Sequence, residues 1–172
     1  MERPESASHP ALSVTEQAFR TFMKASAMAR NLMTPHFARF GITGAQWAVL
    51  RALQRAEMEG LDGLRPSSLG QRLLVKKPSV TGVVERLRRS GWVASREGDE
   101  DHRSKKISLT AEGRRLMKRV LKHHPDQQQK MLACLSPAEQ RALGRLSEKL
   151  ATHYESLNTH PNANAQLEDF SS

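Results

Sequence analysis

Between about Val14 and Phe40 the residues Phe19, Phe22, Met23, Met33 and Phe37 recur at intervals of three and four, with Ser26 and Arg30 as the polar members of the same stripe. That spacing predicts a long amphipathic helix, bent near its end by Pro35 and stopped by Gly41. Thr43 and Gln46 have capping-box spacing and open a second helix bearing Trp47, Leu50 and Leu53. A loop at Glu59-Gly60-Leu61-Asp62-Gly63 follows. Pro66 suits the first turn of a short helix running to Leu74, although Arg65 is a poor cap for it. After a break at Val75-Lys76-Lys77, a further helix spans Pro78 to Ser90. Val80, Val84 and Leu87 fall at i, i+4 and i+7 and predict its inward face, which leaves Gly82, Glu85, Arg86 and Arg89 pointing outward.

Gly91 ends that helix and Trp92-Val93-Ala94-Ser95-Arg96 reads as extended chain. Gly98-Asp99-Glu100-Asp101 supplies a charged turn, and Lys105-Lys106-Ile107-Ser108-Leu109 alternates as a half-buried strand does. Thr110 caps a fifth helix carrying Leu116, Met117, Val120 and Leu121, in which Pro125 predicts a kink or restart between Lys122 and Gln127. Ser136-Pro137-Ala138-Glu139 combines cap, first-turn proline and capping-box acid, and opens a last helix striped by Leu143, Leu146, Leu150, Tyr154 and Leu157.

Helix, turn, helix and hairpin in that order give a mainly α fold with a small β-hairpin wing, a winged helix-turn-helix. The protomer spans 14–158, with a DNA-binding lobe at about 43–110 and dimerisation helices at about 14–40 and 111–158. An intramolecular three-helix bundle is the other way to cover those stripes, but a two-fold reader of DNA half-sites needs a dimer. Residues 1–13 and 159–172, rich in Pro, Ser, Asn and acids, are expected to be disordered tails.

Charge sharpens this picture by its placement. Of the net +9, the stretch from Arg65 to Lys106 carries an excess of six, from eleven basic and five acidic residues. Basic helices are also merely soluble ones, yet here the charge sits on the stretch with the reader pattern. The single cysteine, Cys134, excludes an intrachain disulfide and points to a reducing compartment. No apolar run is long enough to span a bilayer and the N-terminus lacks a signal peptide's apolar core, so the cytoplasm is the expected location and no membrane partner is expected.

Leu69-Gly70-Gln71-Arg72-Leu73, Pro78-Ser79-Val80-Thr81, Leu87, Gly91-Trp92-Val93, Asp101-His102-Arg103 and Leu109-Thr110-Ala111-Glu112-Gly113, in this order and spacing, resemble the MarR family of bacterial transcription regulators. The flanking helices extend the resemblance over roughly Glu16 to Leu157. Many relatives carry an arginine where Gly82 stands and a small polar cap where Lys76 stands, and most run straight through the position of Pro125. The resemblance implies that Arg103 enters the minor groove, held by Asp101. It also implies a small, often aromatic and anionic effector between the dimerisation layer and the reader lobe. Met33, His36, Phe37, Trp47 and Arg51 come from segments that line such a pocket, although as an apolar stripe they also read as ordinary core.

The candidate DNA-binding set is Lys76, Lys77, Pro78, Ser79, Thr81, Gly82, Arg86, Arg89, Asp101, Arg103 and Lys105. Ser79, Thr81 and Arg86 are placed to reach phosphates or base edges, and Lys76 and Lys77 the backbone. Arg86 has the competing fate of pairing with Glu85 or lying in solvent. Gly82 lets a helix approach DNA or another helix closely, at a cost of roughly 1 kcal/mol against alanine.

His123 and His124 are adjacent and diverge by about 100° on a helix, so a zinc site would need His36 or His153 as well. No Glu-x-x-His, His-x-x-x-His or Cys-x-x-Cys pattern supports one, and no metal or cofactor is expected. Cys134 reads as an idle thiol before it reads as an oxidant sensor. No glycine-rich phosphate loop, nucleophile elbow or paired-carboxylate arrangement suggests an enzyme. The sequence therefore points to a homodimeric transcription regulator, a repressor, that reads a pseudo-palindromic operator in double-stranded DNA. A sequence-tolerant architectural DNA binder, a zinc- or redox-responsive regulator of the same fold, and a winged-helix module for a protein partner are the alternatives.

Overall fold

The computed structural model of the chain describes residues 12–73, 77–97 and 105–159. Of the tails expected at 1–13 and 159–172, residues 1–11 and 160–172 lie outside the described residues, whereas Ser13 caps the first helix and Thr159 ends the last. Among the described residues six helices and one strand pair follow in the order α1 (Val14–Ala38), α2 (Gly44–Met58), α3 (Pro66–Leu73), α4 (Lys77–Arg89), β1 (Val93–Glu97), β2 (Lys105–Leu109), α5 (Ala111–Leu132) and α6 (Pro137–Thr159). They divide into two compact units, the first ending at Pro125 and the second beginning at Asp126. No described helix is long and apolar enough to cross a membrane.

The first unit is built on α2. Thr43 and Gln46 close both bonds of the capping box: the Gln46 amide donates to the Thr43 hydroxyl (3.2 Å) and the Thr43 amide to the Gln46 side-chain carbonyl (2.8 Å). From that start Val49, Leu50 and Leu53 enter the core. They meet Leu69 of α3, Val80, Val83 and Leu87 of α4, Val93 and Ile107 of the hairpin, and Leu116, Met117 and Val120 of α5. The inward face of α4 thus differs by one residue from the expected one: Val83 is buried at 8% exposure, whereas Val84 is half-buried. On a helix rotating 100° per residue, 80, 83 and 87 make as narrow a stripe as 80, 84 and 87, and packing against two neighbouring helices chose between them. The start also moves, because Lys77 is the first residue of α4 and not part of the preceding break. Pro78 in the second position is tolerated there, since first-turn amides have no helical partner.

Gly91 ends α4 at φ +71°, a left-handed conformation that lets the Trp92 amide reach back to the Leu87 carbonyl (3.0 Å) and its own amide to that of Arg88 (2.9 Å). β1 and β2 then pair antiparallel with Ala94 opposite Ser108 and Arg96 opposite Lys106. β2 does not alternate as expected, since Ile107, Ser108 and Leu109 are all buried. Its outer edge is taken by Leu64, which exchanges both backbone hydrogen bonds with Ile107 (2.8 and 2.9 Å), so β2 lies inside a three-segment ladder and not at its margin.

α5 runs from Ala111 to Leu132 through Pro125, with no restart between Lys122 and Gln127. A proline removes one amide donor from the helical ladder without ending the helix here, so of the expected kink or restart the restart does not occur. α1 likewise continues three residues past Pro35. In the second unit Ser136 and Glu139 cap α6, the Ser136 amide donating to the Glu139 carboxylate at 2.8 Å. Of the α6 stripe, Leu143, Leu146 and Leu157 are exposed, and Leu150 and Tyr154 half-buried.

Candidate nucleic-acid interface

Because Val80, Val83 and Leu87 fix one face of α4 in the core, the opposite face is held outward. Thr81, Gly82, Arg86 and Arg89 are all exposed on it. Glu85 engages Arg88 through two hydrogen bonds (2.9 and 3.0 Å) and Arg89 more loosely at 3.6 Å. The Arg88 guanidinium, with Arg89 behind it, holds the Glu85 carboxyl below the usual carboxylate range, so this acid stays ionised. Arg86 is not its partner and makes no ion pair among the described residues. Its guanidinium lies back over Gly82, with one nitrogen 3.8 Å from where a Cβ on that glycine would stand. A glycine at 82 therefore leaves bare backbone beside an unengaged guanidinium.

Lys77, Pro78 and Ser79 form the first turn of α4. Lys105 opens β2 and is exposed, and Arg96, which the sequence reading did not single out, is exposed on β1. Lys76, Asp101 and Arg103 lie outside the described residues. Ion pairs tie both the hairpin and α3 to the loop after α2. Lys106 donates to both Asp62 oxygens (2.9 and 3.1 Å), and Arg72 of α3 donates twice to Glu59 (2.6 and 3.1 Å). These bonds hold Asp62 and Glu59 below their usual range. A charged residue in this region is thus not automatically a DNA contact, since Lys106 and Arg72 are drawn toward the loop after α2.

The residues proposed for an effector fall into a ring cluster in the first unit. His36 and Phe37 are buried, and Phe37 stacks on Trp47 of α2 with centroids 5.3 Å apart. Two members were missed from sequence: Phe40, 5.6 Å from His36, and His124 of α5, 4.7 Å from Trp47 and 5.5 Å from His36. The signal for His124 was present, because it continues the α5 stripe of Leu116 and Val120 by another four residues. Arg51 donates to the Gln54 side-chain carbonyl (2.5 Å) and its charge acts on His124, whereas Met33 packs at the edge of the core. Among the described residues no three His, Cys, Asp or Glu side chains are grouped to hold a metal ion. Cys134 is exposed in the turn before α6.

The family model described as the MarR family matches residues 40–104. The transcriptional repressor YetL of Bacillus subtilis is 28% identical over 139 residues, covering 78% of this chain and 81% of its own. Two solved structures share the fold. BpsR of Bordetella bronchiseptica has a TM-score of 0.70 at 24% identity, over 79% of this chain and 99% of that one. The DNA-bound structure of Sco3205, a MarR family regulator of Streptomyces coelicolor, has a TM-score of 0.72 at 23% identity, over 85% and 91%.

Proposed function

We propose that this chain, whose residues 40–104 match the model of the MarR family of transcription regulators, is a homodimeric, sequence-specific reader of a pseudo-palindromic operator, acting in the cytoplasm as a repressor that a small aromatic anion releases. The observation that carries this reading is the outward face of α4, where Gly82 and Arg86 stand exposed on a helix whose other face is locked into the core. In a major groove Arg86 reads base edges, while Lys76, Lys77, Pro78, Ser79 and Thr81 meet the backbone at the start of the helix and Arg89 at its end. Arg103, held by Asp101, enters the minor groove beside Lys105. Sco3205 was solved with DNA, which supports this docking.

The dimer is proposed from the apolar stripes that α1 and α6 each leave uncovered. The effector is proposed to lie against His36, Phe37, Trp47 and Arg51, with Met33 at the margin: rings to stack an aromatic acid and a guanidinium to meet its charge. DNA binding by BpsR is regulated by 6-hydroxynicotinic acid, an aromatic acid of this class.

Selection of bound duplexes from a random pool, followed by anisotropy titrations on the selected and a scrambled duplex, tests the reading. A strong preference for the selected duplex, weakened by members of a panel of aromatic carboxylic acids, is expected. Equal affinity for both duplexes makes the protein an architectural binder, and no affinity for either makes it a module for a protein partner. Operator affinity unchanged across the panel removes the effector from the account.

A further inference from the structure

His36 near the end of α1 and His124 on α5 face one another at 5.5 Å between ring centroids. Phe37, Phe40 and Trp47 enclose them: His36 meets Phe37 and Phe40 edge-on, and His124 lies against Trp47 and Phe37. His36 is 4% exposed. A neutral imidazole has one donor and one acceptor nitrogen, and in a settled core both find partners. Here Nε2 of His36 and Nδ1 of His124 are buried without a hydrogen-bond partner among the described residues. Two rings in contact, each with an unanswered buried nitrogen, form a place where a proton has large consequences.

The charges that act on the pair are all of one sign. Arg39, just past the end of α1, and His123 of α5 act on His36, Arg51 of α2 acts on His124, and His36 itself acts on His124. No carboxylate among these groups offsets them. Burial first, and the neighbouring arginine charges and imidazoles second, hold both imidazoles below the ordinary histidine value. While packed, the rings are neutral in neutral solution.

We propose that His36 and His124 form a proton-operated latch between α1 and α5, closed while both rings are neutral and driven apart when they are protonated. Protonation turns both orphan nitrogens into donors with nothing to receive them and sets two like charges side by side in a poorly hydrated site. Water must enter or the rings must separate. Trp47, against which His124 packs, belongs to α2, and α2 packs on α4, so an opened latch shifts the support of the recognition helix. This last step rests on the DNA-binding reading above, but the latch itself does not.

The sign follows from linkage. The packed rings bind protons less readily than freed rings, whose value is about 6.5. Closure is therefore fully favoured above about pH 6.5 and is lost as pH falls from there through the lowered values of the packed rings.

Trp47 reports the event directly, because a protonated imidazole quenches an indole in contact with it. In a Trp92→Phe background Trp47 is the sole tryptophan. Its emission, followed from pH 8 to pH 5 beside operator affinity, is expected to change with a midpoint below 6.5, and affinity to fall about tenfold, a modest coupling between sites. Adding His124→Gln abolishes the emission change, and His36→Gln with His124→Gln leaves affinity nearly independent of pH. Histidine ring resonances of the unaltered protein give the same answer without a substitution, with two rings titrating below 6.5. Flat Trp47 emission, or ring midpoints at or above 6.5, overturns the latch. A Trp47 transition with parent-like pH dependence of affinity in the double variant overturns the link to DNA alone. No operator binding at any pH overturns the DNA reading and leaves emission to judge the latch.

Discussion

The carbonyl oxygen of Trp92 occupies the space where a side chain on Gly113 would begin. The contact is one of several that join the start of α5 to the end of α4. Thr110 donates its hydroxyl proton to the Gly91 carbonyl (2.7 Å) and accepts the Gly113 amide (3.0 Å), and its own amide donates to Trp92 (3.1 Å). Gly113→Ala forces backbone against backbone and should destabilise by about 1–3 kcal/mol, the usual range for overpacking. Gly144 in α6 has open space around it, so Gly144→Ala should instead stabilise by about 0.5–1 kcal/mol. Urea denaturation of the two variants should give midpoints on opposite sides of the parent's.

Thr43 supports α2, the helix on which the first unit is assembled. Thr43→Ala removes the acceptor for the Gln46 amide and should cost about 1 kcal/mol. Thr43→Ser keeps the oxygen and should recover most of that loss in the same denaturation assay.

Gly82 separates stability from recognition. With only the Arg86 guanidinium near its missing Cβ, Gly82→Ala should stabilise α4 by up to about 1 kcal/mol. The same methyl stands where DNA is proposed to approach, so operator affinity should fall while thermal stability rises. A variant that gains stability and keeps full affinity shows that the α4 backbone does not approach the duplex.

The exposed stripes predict self-association. Phe19 is 59% exposed and Leu146 63% exposed, unusual values for large apolar groups recurring along helical stripes. Phe19→Asp with Leu146→Asp should convert a dimer into a monomer in sedimentation at micromolar concentration. A parent that already sediments as a monomer contradicts the dimer.

Most of the fold was legible because its elements announce themselves locally. Thr43 with Gln46, Ser136 with Glu139, and Gly91 as a left-handed stop depend on chemistry within a few residues, and each appears as its spacing implied. What the sequence reading misplaced depends on tertiary partners. Val83 replaced Val84 on the inner face of α4 because neighbouring helices selected the stripe. Ser108 became buried because β2 acquired Leu64 on its second edge. His124 joined Trp47 and His36 across 77 and 88 residues of chain, a proximity no local pattern encodes, although its place on the α5 stripe marked it as inward-facing. Pairing of Glu85 with Arg88 and Arg89, and not with Arg86, follows helical spacing instead, because neighbours three and four apart share a face and adjacent residues do not.

The central claim is that α4 reads sequence through Arg86, and one substitution tests it most directly. Anisotropy titrations of the parent and Arg86→Ala on the selected operator and on a scrambled duplex, at the same salt concentration, measure its contribution. Arg86 is exposed and makes no ion pair among the described residues, so the fold should be unaffected. The account predicts a loss of about 1–3 kcal/mol on the operator, the range for a good base contact, with a much smaller loss on the scrambled duplex. Equal losses on both duplexes, or none on either, would contradict it.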